Sequence, residues 1–188
     1  KRISNLLNRV SHASPKFSPE QVRIALQIAA TLGKEVSFKE WGLACSIHEH
    51  SIPNALVREL TAQGFALVEQ NHWIFCHDTL RIQMIEDAKK TGEHEAINMS
   101  CARMIDRLYA RNHPGAPTRL VDHLLKSHSP TLAIGPLLYL SQRALRQNDY
   151  DLCEQHLSSL KAILPDRPSS ERNDYVFLKL KWLMSRHG

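Results

Sequence analysis

The sequence predicts a mainly α protein in two parts: a winged-helix domain of three helices plus a β-hairpin, then an α-helical, tetratricopeptide-like array of antiparallel helix pairs. Three observations carry this. Helix-start and helix-stop signals recur from Ser18 onward. The pattern turns extended in one place after the first strand-like "EVSF", in "FALVEQ" and "WIFCH". After Thr79 the apolar residues keep helical spacing, broken at "TG", "NHPGAP", "SHSP", "ND" and "LPDRPSS".

Taken in order, Ser18-Pro19-Glu20 is a cap, a proline at the first helical position and an early acid, opening "EQVRIALQIAATLG" up to Gly33. Its apolar residues cover most of the circumference, so this helix belongs at the centre of a core. A second helix is expected over Lys39 to Ile47. A third starts at Ser51-Ile52-Pro53, with Leu56, Val57 and Leu60 on one face and Gly64 as its stop. Asn71-His72 is the expected hairpin turn between the two short strands. Helix, helix, helix, hairpin within about sixty residues is the winged-helix order, with the third helix in the recognition position of a helix-turn-helix.

Further helices are expected at Thr79–Lys90, Glu93–Arg111, Thr118–Ser127, Pro130–Gln147, Tyr150–Leu164 and Glu171–Arg186. "LLYLSQRALRQNDYDLCEQHLSSLKAILP" has the layout of one tetratricopeptide-like hairpin. It has a short Asn-Asp-Tyr turn, apolar Leu152, Leu157, Leu160 and Ile163 on the second helix, and then Pro165. Asn148 and Cys153 replace the Gly and Ala of the consensus. The domains are therefore drawn at 18–90 for the winged helix and 91–188 for the array. Residues 1–17 are expected to be a linker or a helix continuing from an upstream domain, because the chain opens without Met inside an amphipathic segment (Ile3, Leu6, Leu7, Val10).

Composition narrows the function classes. With 188 residues, 43% hydrophobic and 23% charged, the chain is in the globular range. No apolar run approaches the roughly 18 residues of a membrane span, and the start lacks a secretory h-region, so a cytoplasmic location is expected. Cys45, Cys76, Cys101 and Cys153 form no C-x-x-C and are expected as buried thiols. His48 and His50, and His72, Cys76 and His77, have no recognised zinc spacing; scattered surface histidines account for them better, and no metal is expected. There is no phosphate-cradling Gly-rich loop, no nucleophile elbow and no other catalytic motif, so this segment is not expected to be an enzyme.

Net charge is +5, which permits nucleic-acid binding, but its placement opposes it. Residues 34–78 hold three basic residues (Lys34, Lys39, Arg58) against six acidic ones (Glu35, Glu40, Glu49, Glu59, Glu69, Asp78), a net of 3 − 6 = −3. Such a unit repels phosphate, and the turn "QNH" has no Lys or Arg. A winged-helix DNA-binding transcriptional regulator with a helical ligand-binding or dimerisation arm is the alternative reading. A plain helical scaffold capped by the winged unit is a third.

The pair His77-Asp78 closes the second hairpin strand and opens the next helix. Asp78 is expected to cap that helix by accepting backbone N–H groups, with His77 ending the strand as a partly buried side chain. A His77 nitrogen at an electropositive helix start could also donate to a phosphate presented from outside.

From "EQVRIALQIAATLGKEVSF", through "LVRELTAQGFALVEQNHWIFCHDTLRIQMIE", to "VDHLLKSHS" and "LSQRALRQNDYDLCEQHL", the chain resembles the region after the nucleotide-binding domain of signal-transduction ATPases with numerous domains. These are large bacterial regulators with an AAA-like core. The resemblance covers about residues 18–165 and is sharpest in the string "F-x-H-D-x-L-R" at Phe75 to Arg81. It implies a winged helix that packs on the nucleotide-binding domain in the ADP-bound state, with His77 able to contact the nucleotide β-phosphate and Asp78 as its helix-capping neighbour. It also implies a superhelical arm that binds inducers or protein partners. Cys76 stands where one branch of the family carries methionine. No cofactor is expected in this segment itself, which has neither P-loop nor Walker B acid; the resemblance implies ATP or ADP for a parent chain whose ATPase core is expected upstream.

Overall fold

Ser18 begins the first helix, α1 (Pro19–Leu32), through a capping box: its hydroxyl accepts from the Gln21 amide at 3.2 Å, and the Gln21 side chain accepts from the Ser18 amide at 2.8 Å. The computed structural model describes residues 8–10, 12, 17–52, 54–110, 113–166 and 168–187, with Asn54 and His187 described by backbone alone. Ile3, Leu6 and Leu7 of the expected N-terminal segment lie outside the described residues, whereas Val10 is buried. Val22 and every residue from Ile24 to Ala30 are buried, as the all-round apolar sequence of α1 requires.

After Gly33 comes strand β1 (Glu35–Ser37) and then α2 (Phe38–Ile47). The helix starts one residue before the expected Lys39 because the Ser37 hydroxyl supplies the cap, accepting from the Glu40 amide at 3.4 Å. Helix α3 (Asn54–Ala62) follows; Pro53 of its expected start lies outside the described residues. Gly64, at φ +72°, ends α3, with the Phe65 amide donating back to Leu60 O at 2.8 Å.

Strands β2 (Ala66–Val68) and β3 (His72–Phe75) complete an antiparallel sheet of order β1-β3-β2. Burying Trp73 and Phe75 on the inner face sets Val68 opposite Trp73. Glu69 then donates to His72 O at 2.9 Å, so the turn is Gln70-Asn71, one residue earlier than expected. His72 instead joins the strand, opposite Ser37.

Helix α4 (Asp78–Thr91) stops at Gly92, φ +81°, and α5 (His94–Leu108) follows at once. The core of this unit is built on the Trp41, Trp73 and Phe75 rings, at 5.4 and 4.5 Å between successive centroids. The Trp41 indole also donates to Ala25 O of α1 at 2.8 Å. A polar link joins α1 to α4: fully buried Gln27 donates to the Asp87 carboxylate at 2.8 Å and Arg23 does so at 3.2 Å.

The chain divides into two compact units at Leu108/Tyr109, and the break at Thr91-Gly92 lies inside the first of them. The "TG" break there is only a helix cap: α5 turns back and buries Ile97, Cys101, Met104 and Ile105, packing on α1 and α2.

The second unit comprises α6 (Ala116–Leu125), a 3₁₀ turn (Pro130–Ala133), α7 (Ile134–Arg146), α8 (Tyr150–Ile163) and α9 (Ser170–His187). The 3₁₀ turn splits the expected Pro130–Gln147 helix because Pro136 has no N–H to bond one turn back. Helices α7 and α8 pack as a hairpin through Leu137, Leu140, Ser141 and Ala144 against Cys153, Leu157 and Leu160. Leu152 is exposed, and Cys153 takes the inward place. Among the described residues no strand follows α4, and no helix is long and apolar enough to cross a membrane.

Candidate functional site

The junction between β3 and α4 is set by two apolar patterns of different period. Trp73 and Phe75 alternate inward on β3; Leu80, Met84 and Ala88 form the buried stripe of α4. Cys76, His77, Asp78 and Thr79 fall between the two and are all exposed. The Cys76 amide donates to Phe65 O at 2.9 Å, holding the strand end in place up to the junction.

Asp78 is not the cap. His77 holds that position, with extended backbone at φ −130° and ψ 118°, and no side chain caps the helix. Asp78 is the first helical residue, and its carboxylate turns forward to accept from Arg81 Nε at 3.3 Å. The acid still favours the helix start through the dipole, without a capping bond. His77 is exposed rather than partly buried, because Phe75 already fills the inward position. Among the described residues its imidazole has no hydrogen-bond or ion-pair partner. A ring that can donate thus stands free over an uncapped, electropositive helix start. Cys76 likewise departs from the expected buried thiols, whereas Cys45, Cys101 and Cys153 are buried and burial pushes the Cys45 thiol up to about 12.

A second cluster has the residue types of a catalytic triad. His48, at the end of α2, places Nδ1 3.0 Å from the Ser100 hydroxyl of α5 and Nε2 3.6 Å from the Glu93 carboxylate. The Ser100 hydroxyl also donates to Ala96 O at 3.1 Å, so its proton is engaged by the backbone of its own helix. His48 is held below its ordinary pKa, first by burial and then by His50, against the upward pull of Glu93 and Glu49. His50 turns its Nδ1 to His48 O at 2.7 Å, and His72 pairs with Glu69 at 3.3 Å instead of facing Cys76 and His77. Among the described residues no three His, Cys, Asp or Glu side chains form a metal-holding group. Partners 45 and 52 residues from His48 left no local signal in the sequence.

Arg58 is exposed on α3 beside Glu59, and the exposed turn Gln70-Asn71 carries no charge. The outer sheet face aligns Glu35, Ile74 and Leu67, an acid and two apolar side chains, with Leu67 55% exposed. Ile82 on α4 is exposed as well.

Searches of protein-family models, curated proteins and solved structures return no match to this chain.

Proposed function

We propose that this chain is a non-catalytic regulatory segment of a multidomain signalling NTPase. Its first unit is a winged helix that docks on the nucleotide-binding domain of the parent protein; its second is a tetratricopeptide-like array that binds a protein partner or inducer. The element order α1-β1-α2-α3-β2-β3 with sheet order β1-β3-β2 supports the first assignment, and the α7–α8 hairpin supports the second.

The observation that carries the reading is the exposed His77 imidazole at the uncapped start of α4. A side chain so placed can reach a nucleotide phosphate held by another domain, and it loses that partner when the nucleotide is exchanged. The bias between two docked states is then the differential strength of one contact. Cofactor chemistry belongs to the parent: this segment holds neither ATP nor ADP by itself.

Titrating the chain with a fluorescent ADP analogue and with duplex DNA at several salt concentrations tests this. Negligible binding of both is expected. Salt-sensitive DNA binding abolished by Arg58→Glu would overturn the reading in favour of a DNA-binding regulator.

A further inference from the structure

Helix α9 is apolar on two opposite faces, and only one is covered. Leu178 and Trp182 are buried where α9 packs on α7 and α8, and the Trp182 indole donates to Tyr150 O at 2.9 Å. Facing the other way are Val176, Phe177, Leu180, Leu183 and Met184, with Phe177 57%, Leu180 53% and Met184 76% exposed. Their spacing of i, i+1, i+4, i+7 and i+8 makes one continuous stripe along the helix. An amphipathic surface helix needs one such stripe; the second wants a partner.

The edges of the stripe say which partner. Lys179 and Lys181 lie one residue to either side of Leu180, so about 100° around the helix to left and right. Lys181 Nζ sits 4.4 Å from the Phe177 ring centroid and Lys179 Nζ 6.0 Å from that of Tyr175. Among the described residues neither amine has a carboxylate partner, whereas Arg186 is taken up by Glu154 at 2.7 Å and Asp151 at 3.7 Å. Basic groups on both edges disfavour a second copy of this face, which would bring lysine against lysine. Asp174, seven residues before Lys181 and so on the same edge of the stripe, is exposed and disfavours a flat anionic lipid surface, which would have to press against it.

We propose that the outer face of α9 binds an amphipathic helix of another protein, its apolar residues at i, i+3, i+4 and i+7 seated on Leu180 and its neighbours and its flanks acidic, to meet Lys179 and Lys181. This deepens the partner-binding role proposed for the second unit, and it stands or falls separately from the His77 contact in the first.

Anisotropy titrations of the whole chain with two labelled helical peptides test it. The peptides share one leucine pattern and differ only in Glu or Lys flanks. The Glu-flanked peptide is expected to bind at least about tenfold more tightly than its Lys-flanked twin. Leu180→Glu should abolish that binding, and Lys179→Glu with Lys181→Glu should reverse the preference while leaving the circular dichroism unchanged. Equal binding of both peptides, or of neither, overturns the proposal. So does Leu180-dependent self-association in sedimentation, which would assign the face to a second copy. Leu180-dependent binding to phosphatidylserine-containing vesicles without peptide selectivity would assign it to a membrane.

Discussion

Trp41 and Trp73 are matched buried indoles in one core, and they differ in a single hydrogen bond. Trp41 Nε1 donates to Ala25 O at 2.8 Å, whereas Trp73 Nε1 is buried with no acceptor among the described residues. Replacing either with Phe removes a similar volume, which costs about 2 kcal/mol in lost burial and a residual void. Trp41→Phe also loses a hydrogen bond, adding about 1 kcal/mol, for a total near 3 kcal/mol. Trp73→Phe removes an unsatisfied donor whose burial costs about 1–3 kcal/mol in the native protein, so its net effect should lie between a loss of about 1 kcal/mol and a gain of about 1 kcal/mol. Native-state hydrogen exchange of the α1 amides reads the opening energy of this unit separately from residues 109–188. Equal losses, or a larger loss for Trp73→Phe, would refute the assignment of these two donors.

Acidification should destabilise both units. His48 and His156 are held below the ordinary histidine pKa, both chiefly by burial. The folded state therefore binds fewer protons than the unfolded chain, so the stabilisation is complete above about pH 6.5 and is lost as pH falls from there through the lowered folded values. His48→Asn should flatten the pH dependence of α2 and α5 exchange protection while leaving that of α8 intact. Gly92→Ala, at φ +81°, should cost about 1 kcal/mol, whereas Asn148→Gly, at φ +57°, should be neutral or stabilising by a few tenths; thermal melts distinguish the two. Asp87→Ala removes the acceptor shared by buried Gln27 and Arg23 and should lower stability by about 1–3 kcal/mol in urea titrations.

What the sequence made legible was local. Ser18, Gly64 and the alternation of Trp73 and Phe75 act through neighbours a few residues away, so helix starts, stops and strand faces could be read directly. The hairpin turn was misplaced by one residue because its position follows from which rings are buried, and "QNH" alone does not choose between two adjacent turns. Asp78 illustrates a competition invisible in one dimension: its carboxylate could cap the helix or pair with Arg81, and it pairs. Similarly, Leu152 and Cys153 both have the chemistry to face inward, and only the packing of α8 on α7 decides between them. The affiliation of α5 with the first unit and the His48–Ser100–Glu93 cluster depend on long-range contacts that no local period encodes.

The nucleotide contact proposed for His77 is tested most directly by the rate of ADP release from the parent NTPase that the proposal implies. A charge-assisted hydrogen bond to phosphate contributes roughly 1.5–3 kcal/mol, so His77→Ala should speed ADP dissociation about 10- to 150-fold. Asp78→Asn, which alters the helix start without touching the imidazole, should leave the rate within about twofold, since the Asp78–Arg81 pair is exposed. Unchanged ADP release in His77→Ala would contradict the nucleotide-sensing role.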